Sequence, residues 1–84
     1  MGKCEKLLLQ ALGGPQNLRF EDLCALAECH GFAPRRGSGT SHRVFKRPGY
    51  FRILNFQNSG GQAKPYQVKD LLNALRDLGE IDDE

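Results

Sequence analysis

The stretch SHRVFKRPGYFRILNFQ, Ser41 to Gln57, decides the fold of this 84-residue chain. The stretch is rich in arginine and in β-branched and aromatic residues on both sides of Pro48-Gly49, a dipeptide suited to a turn, so two antiparallel strands are predicted, Ser41 to Arg47 and Phe51 to Gln57. Side chains of a strand alternate between its two faces. Phe45 is the best core anchor of the first strand, which puts Arg43, Phe45 and Arg47 on one face and His42, Val44 and Lys46 on the other. In the second strand Leu54 and Phe56 turn inward, with Ile53 and Asn55 opposite. A further strand, Phe32 to Arg36, precedes them across the Gly37-Ser38-Gly39 turn.

Helical spacing brackets these strands. Cys4, Leu7, Leu8, Ala11 and Leu12 recur at steps of three and four in a helix from about residue 3 to 12, stopped by Gly13, Gly14 and Pro15. Asn17 or a neighbour caps a second helix, Phe20 to His30, whose apolar face is Phe20, Leu23, Cys24 and Ala27 with Leu26 beside it. After a polar loop, Asn58 to Ala63, Pro65 opens a last helix with a stripe of Val68, Leu71, Leu72, Leu75 and Leu78. Gly79 ends it, and residues 80–84 are expected to form a frayed acidic tail. The predicted order is α-α-β-β-β-α: one α+β domain over residues 1–84, with a three-stranded antiparallel sheet and helices packed on one face.

A formal charge of +2 conceals a strong segregation. Gly31 to Lys69 carries eight basic residues and no acid, whereas the residues from Asp70 onward carry six acids against Arg76. Eight like charges repel one another unless a polyanion or an acidic partner offsets them, which makes nucleic acid the first ligand to consider. A chain this short buries only about 60% of its unfolded surface, so a deep catalytic cavity is not expected and any chemistry lies near a surface. The longest apolar run, Leu7 to Leu9, is far short of a bilayer span, and no signal-like stretch follows Met1. A soluble cytoplasmic protein with no membrane partner is the expectation. Three cysteines, Cys4, Cys24 and Cys29, are too few for a disulfide framework and read as core or surface thiols in a reducing compartment.

The segment Gly37 to Phe45 carries the candidate chemistry. Its glycines let backbone N–H groups approach a phosphate, Thr40 and Ser41 add hydroxyls, and His42 starts a strand among Arg43, Lys46 and Arg47. An imidazole there suits a general base or acid at neutral pH: it takes the proton of a ribose 2′-hydroxyl, which attacks the adjacent phosphate while the cations stabilise the developing charge. The same residues also fit an ordinary strand histidine beside a hairpin turn. His30 falls at a helix C-terminus, where an imidazole suits the dipole, and Cys24, Cys29 and His30 have poor metal spacing, so no metal or cofactor is expected. Tyr50 and Phe51, between Arg47 and Arg52, fit a base-stacking platform, and Phe51 fits the core equally well. Lys64, Tyr66 and Lys69 surround the start of the last helix, either as a phosphate contact or as an ordinary solvated turn.

These residues also carry a resemblance. His30-Gly-Phe32, the strand with Arg35-Arg36, Gly39-Thr-Ser-His-Arg-Val-Phe45, Leu54-Asn-Phe-Gln57 and Lys64-Pro-Tyr-Gln-Val-Lys69 together resemble the HicA family of bacterial toxins, over about residues 18–78. Thr40 interrupts the glycine-serine-histidine run common in that family, and the helix at residues 3–12 is an addition to its shortest members. The resemblance implies a double-stranded-RNA-binding-domain-like fold and a metal-independent ribonuclease acting on mRNA, neutralised by a HicB-type antitoxin. It implies that His42 is the catalytic histidine and that Gly39, Thr40 and Ser41 form the turn before it. Arg43, Lys46, Arg47, Lys64, Tyr66 and Lys69 are the expected phosphate and RNA contacts. A non-catalytic RNA-binding module of the same fold is the alternative expectation.

Overall fold

In the computed structural model the described residues are 2–14, 16, 18–35 and 42–81, position 42 as backbone only. Phe45 and Phe56 pack with ring centroids 5.3 Å apart at the centre of one hydrophobic cluster. They sit on adjacent strands, β2 (His42–Lys46) and β3 (Leu54–Ser59), which pair antiparallel with His42 opposite Gln57 and Phe45 opposite Leu54. β1 (Ala33–Pro34) pairs with β2, and β4 (Gln62–Ala63) with β3, giving the order β1-β2-β3-β4. Three helices complete the α+β fold: α1 (Lys3–Gly13), α2 (Phe20–Cys29) and α3 (Pro65–Asp77).

The sheet therefore has four strands where the sequence suggested three. Gly60 and Gly61, with φ of 61° and 88°, form the tight turn that returns the chain as β4, and the Gly61 N–H donates to Asn58 Oδ1 at 2.7 Å. Paired glycines at positive φ suit the right-handed twist of a hairpin, which a run of polar residues disguises as a loop. β4 then holds the lead-in to α2: Ala63 N–H donates to Leu18 C=O, and Phe20 N–H to Gly61 C=O. Arg19, not Asn17, is the N-cap residue of α2, and it makes no side-chain cap bond; Asn17 lies outside the described residues.

β3 begins at Leu54 rather than Phe51, and ahead of it Tyr50 turns into the core. Its ring meets Phe32 edge-on at 6.0 Å and its hydroxyl donates to Asp77 Oδ2 at 3.0 Å. Phe51 is correspondingly expelled and is 87% exposed. The first strand starts at Ala33 rather than Phe32 because the Phe32 N–H is taken by the Ala27 carbonyl at the end of α2, while Arg36 lies outside the described residues.

Of the expected face of α1, Leu7 and Ala11 are buried, Leu8 is partly so, and Leu12 is exposed. All five residues expected on the face of α2 are buried. The stripe of α3 is buried through Leu75, with Gln67 and Ala74 added and Leu78 at its margin. The cysteines require a correction. α1 docks on α2 so that Cys4 and Cys29 bring their Cα atoms to 5.9 Å and form a disulfide, leaving Cys24 as the buried thiol. The cysteine argument for a reducing compartment falls with it. Among the described residues no helix is long and apolar enough to cross a membrane.

Truncating Phe56 to alanine removes the partner of Phe45 from a fully buried site. The expected cost is about 3–5 kcal/mol, read as a lower urea midpoint; a loss under about 1 kcal/mol contradicts this core.

Candidate nucleic-acid interface

The parity of β2 sorts its side chains. Phe45 is buried beneath the helices, so Arg43 shares its face, and positions 42, 44 and 46 belong to the face the helices leave uncovered. Cross-strand partners share a face, which adds Ala33 opposite Lys46, Asn55 opposite Val44 and Gln57 opposite position 42. Arg35 N–H donates to Val44 C=O at 2.7 Å, extending β1 along the same rows. A shallow groove of about 530 Å³ lies at this edge between Ala33, Pro34, Arg35, Lys46 and Pro48. Arg35, Lys46, Asn55 and Gln57 thus share an open surface with the apolar Ala33, Pro34, Val44 and Pro48, a form suited to an extended ligand.

Two arginines expected beside His42 are engaged elsewhere. Arg43 lays its guanidinium 5.5 Å from the centre of the Phe20 ring, on the helix side of the sheet, and bears on the Cys24 thiol. Burial pushes that thiol up to about 11, with the Arg43 charge pulling the other way. Arg47 donates from Nη1 to the His30 carbonyl at 3.0 Å and places Nη2 3.8 Å from Glu80. The Glu80 carboxylate also meets His30 Nδ1 at 3.2 Å. Arg47 is therefore a brace between the C-terminal ends of α2 and α3, and its stem lies 3.6 Å from where a Cβ on Gly31 would stand. Gly31, at φ 86°, also needs the left-handed backbone with which it ends α2.

The other three expected cations fall into two places. Lys46 is exposed on the open face, and Lys64 and Lys69 flank the start of α3 with Tyr66, which is 58% exposed. None of the three lysines pairs with an acid among the described residues. Gln67, in the first turn of α3, accepts the Gln57 N–H on its Oε1 at 2.7 Å, which brings Lys64 and Tyr66 to the end of the sheet where position 42 lies. Lys46 lies four residues further along β2, about 13 Å at the rise of a strand. An extended polyanion spans that distance; a small anion does not. Gly39, Thr40 and Ser41 lie outside the described residues.

Three contributors escaped the sequence. Gln67 falls at helical spacing with Leu71 and Ala74, so its place on the apolar stripe was the available signal. Glu80, expected in a frayed tail, is fixed by His30 and Arg47; of that tail, residues 82–84 lie outside the described residues. The third is the pair of Tyr50 and Asp77; burial and the Asp77 carboxylate both raise the Tyr50 phenol above its ordinary range. Among the described residues no group of three or more His, Cys, Asp or Glu side chains is gathered as a metal site.

Arg47→Ala is expected to lower stability by about 1.5–3 kcal/mol through the lost charged hydrogen bond, while Lys46→Ala stays within about 0.5 kcal/mol of the parent. Urea unfolding of both variants checks the division, and equal losses contradict it. A thiol whose pKa rises from 9.0 to about 11 on folding contributes stability that is complete below pH 9 and lost between pH 9 and about 11. Cys24→Ala should therefore flatten part of the alkaline fall in stability, and an unchanged fall in that variant refutes the assignment. Set beside known proteins, the chain finds no counterpart: no family model, no curated protein and no solved structure matches it.

Proposed function

We propose that this chain is a ribonuclease of the HicA toxin type, cleaving mRNA by acid–base chemistry at His42 and neutralised by a HicB-type antitoxin. One observation carries the reading: position 42 belongs to the sheet face that the helices leave uncovered, within a block of eight cations that contains no acid. A general base for RNA must reach a ribose 2′-hydroxyl from a surface open to a polymer, and that face supplies it. The neutral imidazole takes the 2′-hydroxyl proton, the 2′-oxygen attacks the adjacent phosphorus, and the bond from phosphorus to the 5′-oxygen of the next nucleotide breaks as the imidazolium gives its proton to that oxygen. Lys64 and the N-terminal end of α3, which has no acid in its first turn, favour the negative charge that builds on the phosphate. Lys46 holds the strand further along the sheet. Gly39, Thr40 and Ser41 supply the phosphate turn in this reading, and Arg43 and Arg47 support the sheet from behind.

Expression in bacteria should arrest growth and degrade mRNA. His42→Ala should abolish both, with a loss in purified RNA cleavage of about 10²–10⁴-fold and an unchanged melting curve. A His42→Ala protein that still cuts RNA overturns the catalytic assignment, and a wild-type protein that binds RNA in a salt-dependent way without cutting it is the non-catalytic module instead.

A further inference from the structure

Gln67 is the only amide or charged side chain buried among the described residues, 6% exposed between α3 and the sheet. Its position falls in the apolar stripe of α3, where a leucine or methionine would satisfy packing alone. An amide in such a place requires a partner, and its Oε1 has one: the N–H of Gln57, at 2.7 Å. Pairing of β3 with β4 begins only at Asn58, so the Gln57 N–H faces an edge with no strand to receive it. The side chain of Gln67 replaces the missing strand at that single rung. The rung matters because the residue opposite Gln57 on β2 is His42.

We infer that Gln67 is a positioning residue for the His42 site, an inference that rests on the nuclease reading above. By holding Gln57 it fixes the 42–57 rung against the first turn of α3, so that position 42 keeps one spacing from Lys64 and Tyr66. Without the acceptor, the Gln57 N–H turns to water and the rung is free to shift relative to the helix. Displacements of about 1 Å in a reacting group are enough to cost a large part of the rate. Binding of the polyanion depends on charge and is far less sensitive to such a shift.

Two variants test this. Gln67→Met keeps length and burial but has no acceptor for the N–H, whereas Gln67→Glu keeps the acceptor. With a short RNA substrate, Gln67→Met should lower kcat about tenfold or more with KM within about twofold of wild type. Gln67→Glu should recover most of that loss. Amide exchange measured by NMR should show the Gln57 proton about tenfold less protected in Gln67→Met and protected in Gln67→Glu, with the other β3 amides unchanged. An active wild type whose Gln67→Met variant keeps its kcat, or whose loss Gln67→Glu does not restore, overturns the inference alone. A wild-type protein that leaves RNA uncut overturns the nuclease reading and the inference together.

Discussion

The contact between Phe45 and Phe56 sets the constraint on which the remaining structure depends. With both rings locked under the helices, strand alternation leaves no freedom in β2 and β3: Leu54 is buried with them, Arg43 shares their face with its exposed side chain over Phe20, and Val44, Lys46, Asn55 and Gln57 belong to the other face. A slip of one residue would bury Lys46 and expose both phenylalanines. The hydrophobic term thus fixes which face of a small sheet is dry and which is open. The position of His42 on the open face is a by-product of that choice.

Charge is then divided by location. The arginines near the helix ends do structural work: Arg47 braces two helix C-termini, Arg52 lies near Asp77, and Arg43 covers Phe20. α2 and α3 each end in a glycine at positive φ, Gly31 and Gly79, which turns the chain so that Phe32 enters the core and Glu80 reaches Arg47 and His30. The acids of the C-terminal region are in part spent there. Lys46, Lys64 and Lys69, by contrast, remain on the open face and at the start of α3. Arginine, planar and rich in donors, suits fixed contacts, while lysine is a mobile point charge suited to a polymer of phosphates.

Much of this is legible in the sequence itself. The helix faces of α2 and α3 followed from spacing, and the strand parity followed from Phe45. Departures came where local chemistry was outvoted by packing. Tyr50, hydrophilic enough to be set at a surface, turns inward with Asp77 receiving its hydroxyl, and β3 begins three residues later than expected, at Leu54. β4 was hidden in a polar run because its ladder rests on backbone groups and two glycines, with only Ala63 to pack. The disulfide depends on the docking of α1 on α2, a tertiary fact that cysteine counting does not contain. For the site, the sequence supplied the residue types, whereas the division of Arg43 and Arg47 from Lys46 needed the contacts.

The central claim is that an imidazole on the open face activates a ribose 2′-hydroxyl. Its most direct test is the chemistry of the cut ends of an RNA oligonucleotide treated with the purified protein, together with a copy bearing a single 2′-deoxy nucleotide at the cleaved position. The account predicts a 2′,3′-cyclic phosphate and a 5′-hydroxyl from the first and no cleavage of the second. A 3′-hydroxyl with a 5′-phosphate, or cutting at the deoxy position, would contradict it.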